Sequence, residues 1–393
     1  MPPTAPISKE NVIRVALIYL AILAGFLNLF LQLPLTPVYA RQLTSDLGWV
    51  AFAVAAYSVT NLAGNLFAGF LVDRAPKGLV IALGLALGAL ALAWASATTT
   101  VQGLIAALML NGAALSVVTP AAFALLSQSL AENSKAAGMA RSGATIGLAA
   151  MIGPPVGGLL ADRLGYPNAY LSIGAFLMAV AIVCLVTLRR SSPVPPESLG
   201  WTDFWALLVE KRLLMAYLGA FTLMFANGSL VFALPPFIKE LGLPGVMLGG
   251  LFSSFAMSAM VVFLSPLGTL PRRWGAAWSL TVGALLLAVG VGAIASLTAL
   301  PALFGAMIVY GLGFGLVFPS AIAALVAHVP EGKRGTGFGI FYAVFSLGAI
   351  AGPMVLSHAR DLGISPFHLA ATVPAMLALG LLLRRQSTQR EPR

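Results

Sequence analysis

Ten long stretches of this chain contain no charged residue, and no other feature constrains its fold as strongly. They cover 15–40, 47–72, 78–131, 142–161 and 164–188, then 213–238, 241–271, 274–330, 335–359 and 362–383. A helix that crosses hydrocarbon needs about 20 apolar residues, and charge is nearly excluded from its centre. The third stretch of each set, 54 and 57 residues long, has room for two such helices. Each of these carries a polar or proline-containing break in its middle, at 96–102 and 296–301. Six spans plus six are therefore expected. Segments such as 79–95 lack the alternation of a membrane β-barrel, so the expected fold class is an all-α membrane protein of 12 transmembrane helices.

Composition excludes the alternatives. With 59% hydrophobic and 9% charged residues, the chain cannot cover a water-soluble globule with polar surface. The net charge of +10 would suggest nucleic acid in a soluble protein. If the N-terminus is cytoplasmic, however, 18 of the 22 Lys and Arg fall on the cytoplasmic side, with only Arg41, Arg163, Lys239 and Arg360 outside. That split is the positive-inside pattern, so both termini are expected in the cytoplasm and no nucleic-acid partner is expected. The polar start, MPPTAPISKE, leads into a first span rather than a cleaved signal peptide. Cys184 is the single cysteine, and His328, His358 and His368 are the only histidines, so no metal site or cofactor is expected.

The two sets of spans repeat at a fixed offset of 199 residues. It pairs Asn28 with Asn227, Pro37 with Pro236, Gly69 with Gly268, Arg74 with Arg273, Gly84 with Gly283 and Gly112 with Gly311. It also pairs Pro120 with Pro319, Gly138 with Gly337, Gly153-Pro154 with Gly352-Pro353, and Asp162 with Asp361. The expected organisation is a six-helix bundle over 1–188, a polar, proline-rich cytoplasmic linker over 189–212, and a second six-helix bundle over 213–393.

At these residues the chain resembles the major facilitator superfamily. Gly69-Phe70-Leu71-Val72-Asp73-Arg74-Ala75-Pro76-Lys77 is similar to the family's G-x-L-A-D-R-x-G-R/K signature between its second and third helices. Gly268 to Gly275 is a degraded second copy, with Arg272 in place of the aspartate. Gly153-Pro154-Pro155-Val156-Gly157-Gly158 resembles the fifth-helix element of the drug/proton antiporter branch. Leu108, before Met109, Leu110, Asn111 and Gly112, stands where that branch carries an arginine. The resemblance implies a central cavity lined by helices 1, 4, 7 and 10, and a contact of Asp73 with the start of helix 11 at Gly335, Thr336 and Gly337.

No Asp, Glu, Lys, Arg or His falls in the middle of a predicted span, so the interior offers neither an obvious proton carrier nor a counter-charge. What it offers is neutral polarity. The candidate substrate-binding residues are Asn28, Gln32, Tyr57, Asn61, Asn65, Asn111, Asn227, Ser254, Ser258, Tyr310, Tyr342 and Ser346. Asn28 and Gln32, and Tyr57, Asn61 and Asn65, recur at helical spacing and so share a face. Hydrogen bonding between helices is their alternative role. Gly69, Asp73, Arg74, Lys77, Gly268, Arg273, Gly335 and Gly337 are candidates for a conformational latch, and Gly153, Pro154, Gly157 and Gly158 for a flexing face of the fifth helix.

The expected function is alternating-access secondary transport, with export of hydrophobic or amphipathic small molecules from the cell membrane. Facilitated diffusion or symport of a neutral solute is the alternative. The expected partners are a small-molecule substrate, the lipid bilayer and protons as coupling ion, and the chain is expected to act as a monomer. Enzymatic chemistry would need a nucleophile with a base, or a metal cluster, in the membrane plane, and the sequence supplies neither.

Overall fold

In hydrocarbon every backbone N–H and C=O must find a partner inside the protein, so a chain this apolar forms helices from end to end. A computed structural model describes residues 9–130, 135–188, 201–244, 246–329, 334–359 and 363–390. The first half comprises α1 (Lys9–Gln32), α2 (Leu35–Leu43), α3 (Leu47–Arg74), α4 (Lys77–Ala97), α5 (Val101–Ser116), α6 (Val118–Ser129), α7 (Lys135–Leu164) and α8 (Tyr166–Leu188). After α9 (Trp201–Leu208) follow α10 (Leu214–Glu240), α11 (Val246–Leu264), α12 (Leu270–Arg273), α13 (Ala276–Ile294), α14 (Leu300–His328), α15 (Arg334–Ser357) and α16 (Pro366–Arg390). Among the described residues, 12 helical segments are long and apolar enough to cross a membrane, α5 and α6 together making one of them. The two breaks expected inside the longest charge-free stretches are present, between α4 and α5 and between α13 and α14.

The helix ends follow local chemistry. Asp46 caps α3, its carboxylate accepting from the backbone N–H of Gly48 at 2.7 Å and of Trp49 at 3.3 Å. Thr100 caps α5 through Gly103 N–H at 3.1 Å. Gly165, at φ +78°, supplies the left-handed residue that turns α7 into α8.

Two elements differ from the sequence expectation. The first charge-free stretch is two helices rather than one, because Pro34 has no N–H to continue the ladder of α1, and α2 begins after it at Leu35. The stretch expected as a plain linker contains α9, which packs against α15 and is tied to α10 by Tyr217 O–H donating to the Leu207 carbonyl at 3.1 Å. Residues 189–200 of that linker lie outside the described residues.

Glycines set how closely the helices approach. A Cβ on Gly84 would lie 2.6 Å from Val118 and 2.8 Å from the Ala114 carbonyl; on Gly283 it would lie 2.8 Å from Val317 and 3.0 Å from Leu316. Val118 and Val317 are themselves 199 residues apart. Gly153 abuts Phe30 of α1 and Gly352 abuts Ser229 of α10, again at the repeat offset. The sequence repeat is thus also a repeat of packing contacts.

The first six spans pack mainly on one another, as do the last six, and the two sets meet along α3 with α15 and α7 with α11. Gly158 approaches Gly249, and Gly147 approaches Met260 and Phe263, so α7 and α11 run side by side over much of their length. Alpha10 is buried without interruption from Thr222 to Pro235, and α2 is buried over Leu35, Thr36, Pro37, Tyr39 and Ala40. The end of the molecule formed by α2 and the second half of α10 is therefore closed. Outward faces such as Leu83, Leu87, Leu90 and Trp94 of α4 are exposed apolar stripes fit for lipid.

Two glycines of α14 give a matched test. A methyl group on Gly311 would collide with the Phe255 carbonyl and the Ser258 hydroxyl, whereas nothing lies within 4 Å of one on Gly305. Gly311→Ala should destabilise the protein by about 1–3 kcal/mol. Gly305→Ala should be neutral or stabilising by up to about 1 kcal/mol. The melting temperatures of the two purified variants should fall on opposite sides of, or one below and one at, the wild-type value.

Candidate functional site

Where the two halves meet, a cavity of about 50 Å³ opens between α1, α3, α5 and α10, with α2 and α15 completing it. Its polar lining is Gln32, Thr36, Tyr57, Ser58 and Asn227, and its apolar lining includes Leu29, Leu108, Met224, Val231 and Ala349. No residue of the lining is Asp, Glu, His, Lys or Arg. The space has room for a few waters and is far below the ~300 Å³ of a drug-sized site.

A buried chain of amides supports it from the first half. Asn111 donates through Nδ2 to the Gly88 carbonyl of α4 at 3.0 Å and accepts through Oδ1 from Asn28 Nδ2 at 3.0 Å. Gln32 Nε2 donates to the Asn28 carbonyl at 2.8 Å and to Asn28 Oδ1 at 2.9 Å, with Asn111 Oδ1 at 3.4 Å. The chain continues outward: Thr36 Oγ1 donates to the Gln32 carbonyl at 3.0 Å and lies 2.8 Å from the Tyr170 hydroxyl. Asn28 and Asn111 are completely buried and tie α1, α4 and α5 together, while Gln32 sits between that network and the cavity. Gly88 makes the arrangement possible, since a Cβ there would press on Leu115 and on the Asn111 amide.

The second half is different. Asn227, the repeat mate of Asn28, is 2% exposed and lines the cavity, and its Oδ1 has no hydrogen-bond partner. Tyr310, the repeat mate of Asn111, is fully buried against Phe255, with ring centroids 5.3 Å apart, and its hydroxyl is unpartnered too. Among the described residues the buried unpartnered side-chain oxygens are these two and those of Ser229 and Ser279, all in the second half.

The remaining candidates are dispersed. Asn61 donates to the Gly112 carbonyl at 3.2 Å, and its Oδ1 accepts from Asn65 at 2.8 Å and from Ser346 of α15 at 3.4 Å, a polar contact across the junction of the halves. Ser254 and Ser258 donate back into their own helix, to Leu251 and Phe255 carbonyls at 2.8 and 2.9 Å. Tyr342 stands in an aromatic cluster with Phe341 and Phe345. Thr36 and Ser58 were not singled out from the sequence. Thr36 continues the four-residue spacing of Asn28 and Gln32, which is the signal that marks it.

The helix 5 element lies in α7, which stays helical through Pro154 and Pro155. Gly153 and Gly157 there face the backbone of α1 at Phe30 and Leu31, and Gly158 faces α11. Of the latch candidates, Lys77 is buried at the start of α4, Arg273 is exposed, and Gly337 packs on Val329. The surroundings of Gly69, Asp73, Arg74, Gly268 and Gly335 lie outside the described residues.

Comparison with known proteins agrees with this architecture. The family model described as Major Facilitator Superfamily matches residues 18–353. Quinolone resistance protein NorA of Staphylococcus aureus is 24% identical over 389 residues, covering 95% of this chain and 97% of that protein. Multi-drug resistance efflux pump PmrA of Streptococcus pneumoniae is 27% identical over 340 residues, covering 83% and 84%. A crystal structure of a bacterial homolog of the human lysosomal transporter Spinster, inward-facing and unoccupied, superposes with a TM-score of 0.75 at 15% identity, covering 95% of this chain and 93% of the other.

The amide chain and the self-bonded serines should respond differently to mutation. Asn111→Leu strands the Gly88 carbonyl and the Asn28 amide in the interior and should cost about 1–3 kcal/mol. Ser254→Ala should stay within about 0.5 kcal/mol of wild type. Thermal unfolding of the detergent-purified variants checks the order.

Proposed function

The chain belongs to the Major Facilitator Superfamily and is a multi-pass cell-membrane transporter rather than an enzyme, and from that premise we propose that it exports hydrophobic or amphipathic small molecules by alternating access. The observation that carries the proposal is the uncharged cavity to which both halves contribute, Gln32, Tyr57 and Ser58 from the first and Asn227 from the second. A site built across the junction of two rigid bodies can be exposed to either side by rocking one against the other. Leu108 on the wall leaves it without the positive charge that an acidic substrate would need. The names of the two efflux relatives point in the same direction.

In this reading 1–188 and 213–393 are the rocking bodies, 189–212 links them, and α3 with α15 and α7 with α11 are the surfaces on which they move. With both termini in the cytoplasm, the closed end formed by α2 and α10 is the outer one. Asp73 acts as a latch toward the start of α15 when the cytoplasmic end shuts, and one chain suffices for transport. Gln32→Leu should still reach the membrane and should lower resistance to, and vesicle transport of, an exported dye about 2- to 10-fold, the effect of one neutral hydrogen bond. Unchanged transport would remove the cavity from the substrate path.

Proton coupling is expected to be weak. No lining side chain titrates near neutrality, so transport in vesicles should change less than about three-fold between about pH 5.5 and 8. Transport that also ignores an imposed proton gradient would favour facilitated diffusion of a neutral solute. A steep dependence with a midpoint near neutrality would place a proton carrier in the path.

A further inference from the structure

Alpha9 stands at the membrane surface rather than beyond it. Its last turn is held by Tyr217, whose hydroxyl donates to the Leu207 carbonyl at 3.1 Å. Tyr217 belongs to the first turn of α10, whose membrane span begins at Leu214. The bond therefore sets Leu207 beside the start of a spanning helix, at the depth where hydrocarbon gives way to headgroups. A short turn fixes the join: Leu213 N–H donates to the Glu210 carbonyl at 3.0 Å, and Arg212 N–H to a Glu210 carboxylate oxygen at 3.1 Å. Around α9 the residues divide by helical spacing. Leu207 is buried and Phe204 and Leu208 are partly buried, and this is the side that packs on the protein. The opposite side, Trp205, Ala206 and Val209, is exposed, Trp205 by 58% and Val209 by 72%. A helix lying in water would carry polar residues there. Lys211 and Arg212 follow, both exposed, and then Leu214 and Leu218, exposed apolar residues one turn apart on α10. The positive-inside pattern accounts for two basic residues at this point of the chain, but it does not account for the apolar free face before them.

We infer that α9 is an interfacial helix that binds anionic phospholipid: Trp205 and Val209 sink between lipids at the headgroup boundary, and Lys211 and Arg212 pair with negative headgroups. An apolar helix face beside paired cations is the combination that holds a helix in the plane of a charged leaflet. Each cation near such a leaflet contributes a preference of about five-fold. The free face of α9 is followed along the chain by the outward leucines of α10, which lie within a membrane span, so lipid is its occupant rather than a soluble partner. Because α9 also packs on α15 and is bonded to α10, lipid bound there holds the second half at a fixed depth in the membrane. Nothing in this depends on what the cavity between the halves carries.

The test uses the full chain with Cys184→Ala, which removes the one native thiol, and Val209→Cys, which places a bimane fluorophore on the free face of α9. Ala206→Cys, on the same face, serves as a second site. The labelled protein is reconstituted into phosphatidylcholine vesicles that contain a minor fraction of phosphatidylglycerol or of phosphatidylcholine brominated high on the acyl chain. Both brominated lipids should quench the bimane, and iodide in the water should not. The concentration dependence of quenching should show phosphatidylglycerol preferred by about five-fold or more. Lys211→Gln with Arg212→Gln should abolish the preference and leave quenching by phosphatidylcholine unchanged, while Lys211→Arg with Arg212→Lys should keep the preference. A label reached by iodide and by neither brominated lipid would put α9 in water, where a soluble partner would fit its free face. A label shielded from lipid and iodide alike would put a second copy of the chain over it. Either result overturns the lipid site, as would equal quenching by the two lipids before any charge is changed, or a preference that survives the glutamine pair.

Discussion

A polar group in hydrocarbon has no water to fall back on, and the structure is arranged around that fact. It applies first to the backbone, which is why the described chain is helical apart from short turns. It applies next to helix contacts. Lipid tails are as apolar as leucine, so helices gain little from hiding apolar surface and associate through close packing instead. Glycines such as Gly84, Gly112 and Gly311 allow backbones to touch. It applies last to side chains, where the amide of Asn28 lies 3.0 Å from that of Asn111 with no solvent to compete.

The two halves meet this constraint unequally. In the first, a continuous chain of hydrogen bonds runs from Gly88 through Asn111, Asn28, Gln32 and Thr36 to Tyr170. In the second, the positions related by the repeat are occupied by Asn227 and Tyr310, whose oxygens have no partner in this state. Unpaired buried oxygens raise the energy of the arrangement that holds them, so a state that supplied partners would be favoured by that difference.

Much of this was legible in the sequence. Charge-free runs gave the number of spans, because the cost of burying charge is large enough to survive any detail of packing. The offset of 199 residues reappears as contacts between corresponding residues, Gly84 with Val118 and Gly283 with Val317. Spacing showed that Asn28 and Gln32 share a face. It could not show that Asn28 faces Asn111 and Gln32 faces the cavity, since that depends on helix rotation and on partners about 80 residues away. Ser254 and Ser258 illustrate the same gap: a serine in a helix can satisfy itself on its own backbone, and nothing in its sequence position reveals whether it does. The turn at Pro34 lay inside a single charge-free run, which charge spacing alone does not divide, and one missing N–H decides the geometry there.

The paired glycine contacts also bear on how far the two halves can differ. Gly84 and Gly283, or Gly153 and Gly352, each press on residues of their own half, so a change at one is felt within that half alone. The outline of each half is thereby set locally, and the chemistry inside it need not match. Asn61 stands where the second half has Met260, and Asn111 where it has Tyr310. Gln32 and Val231 are related by the same offset and both border the cavity, so two halves that agree in their close contacts turn unlike side chains toward the space between them.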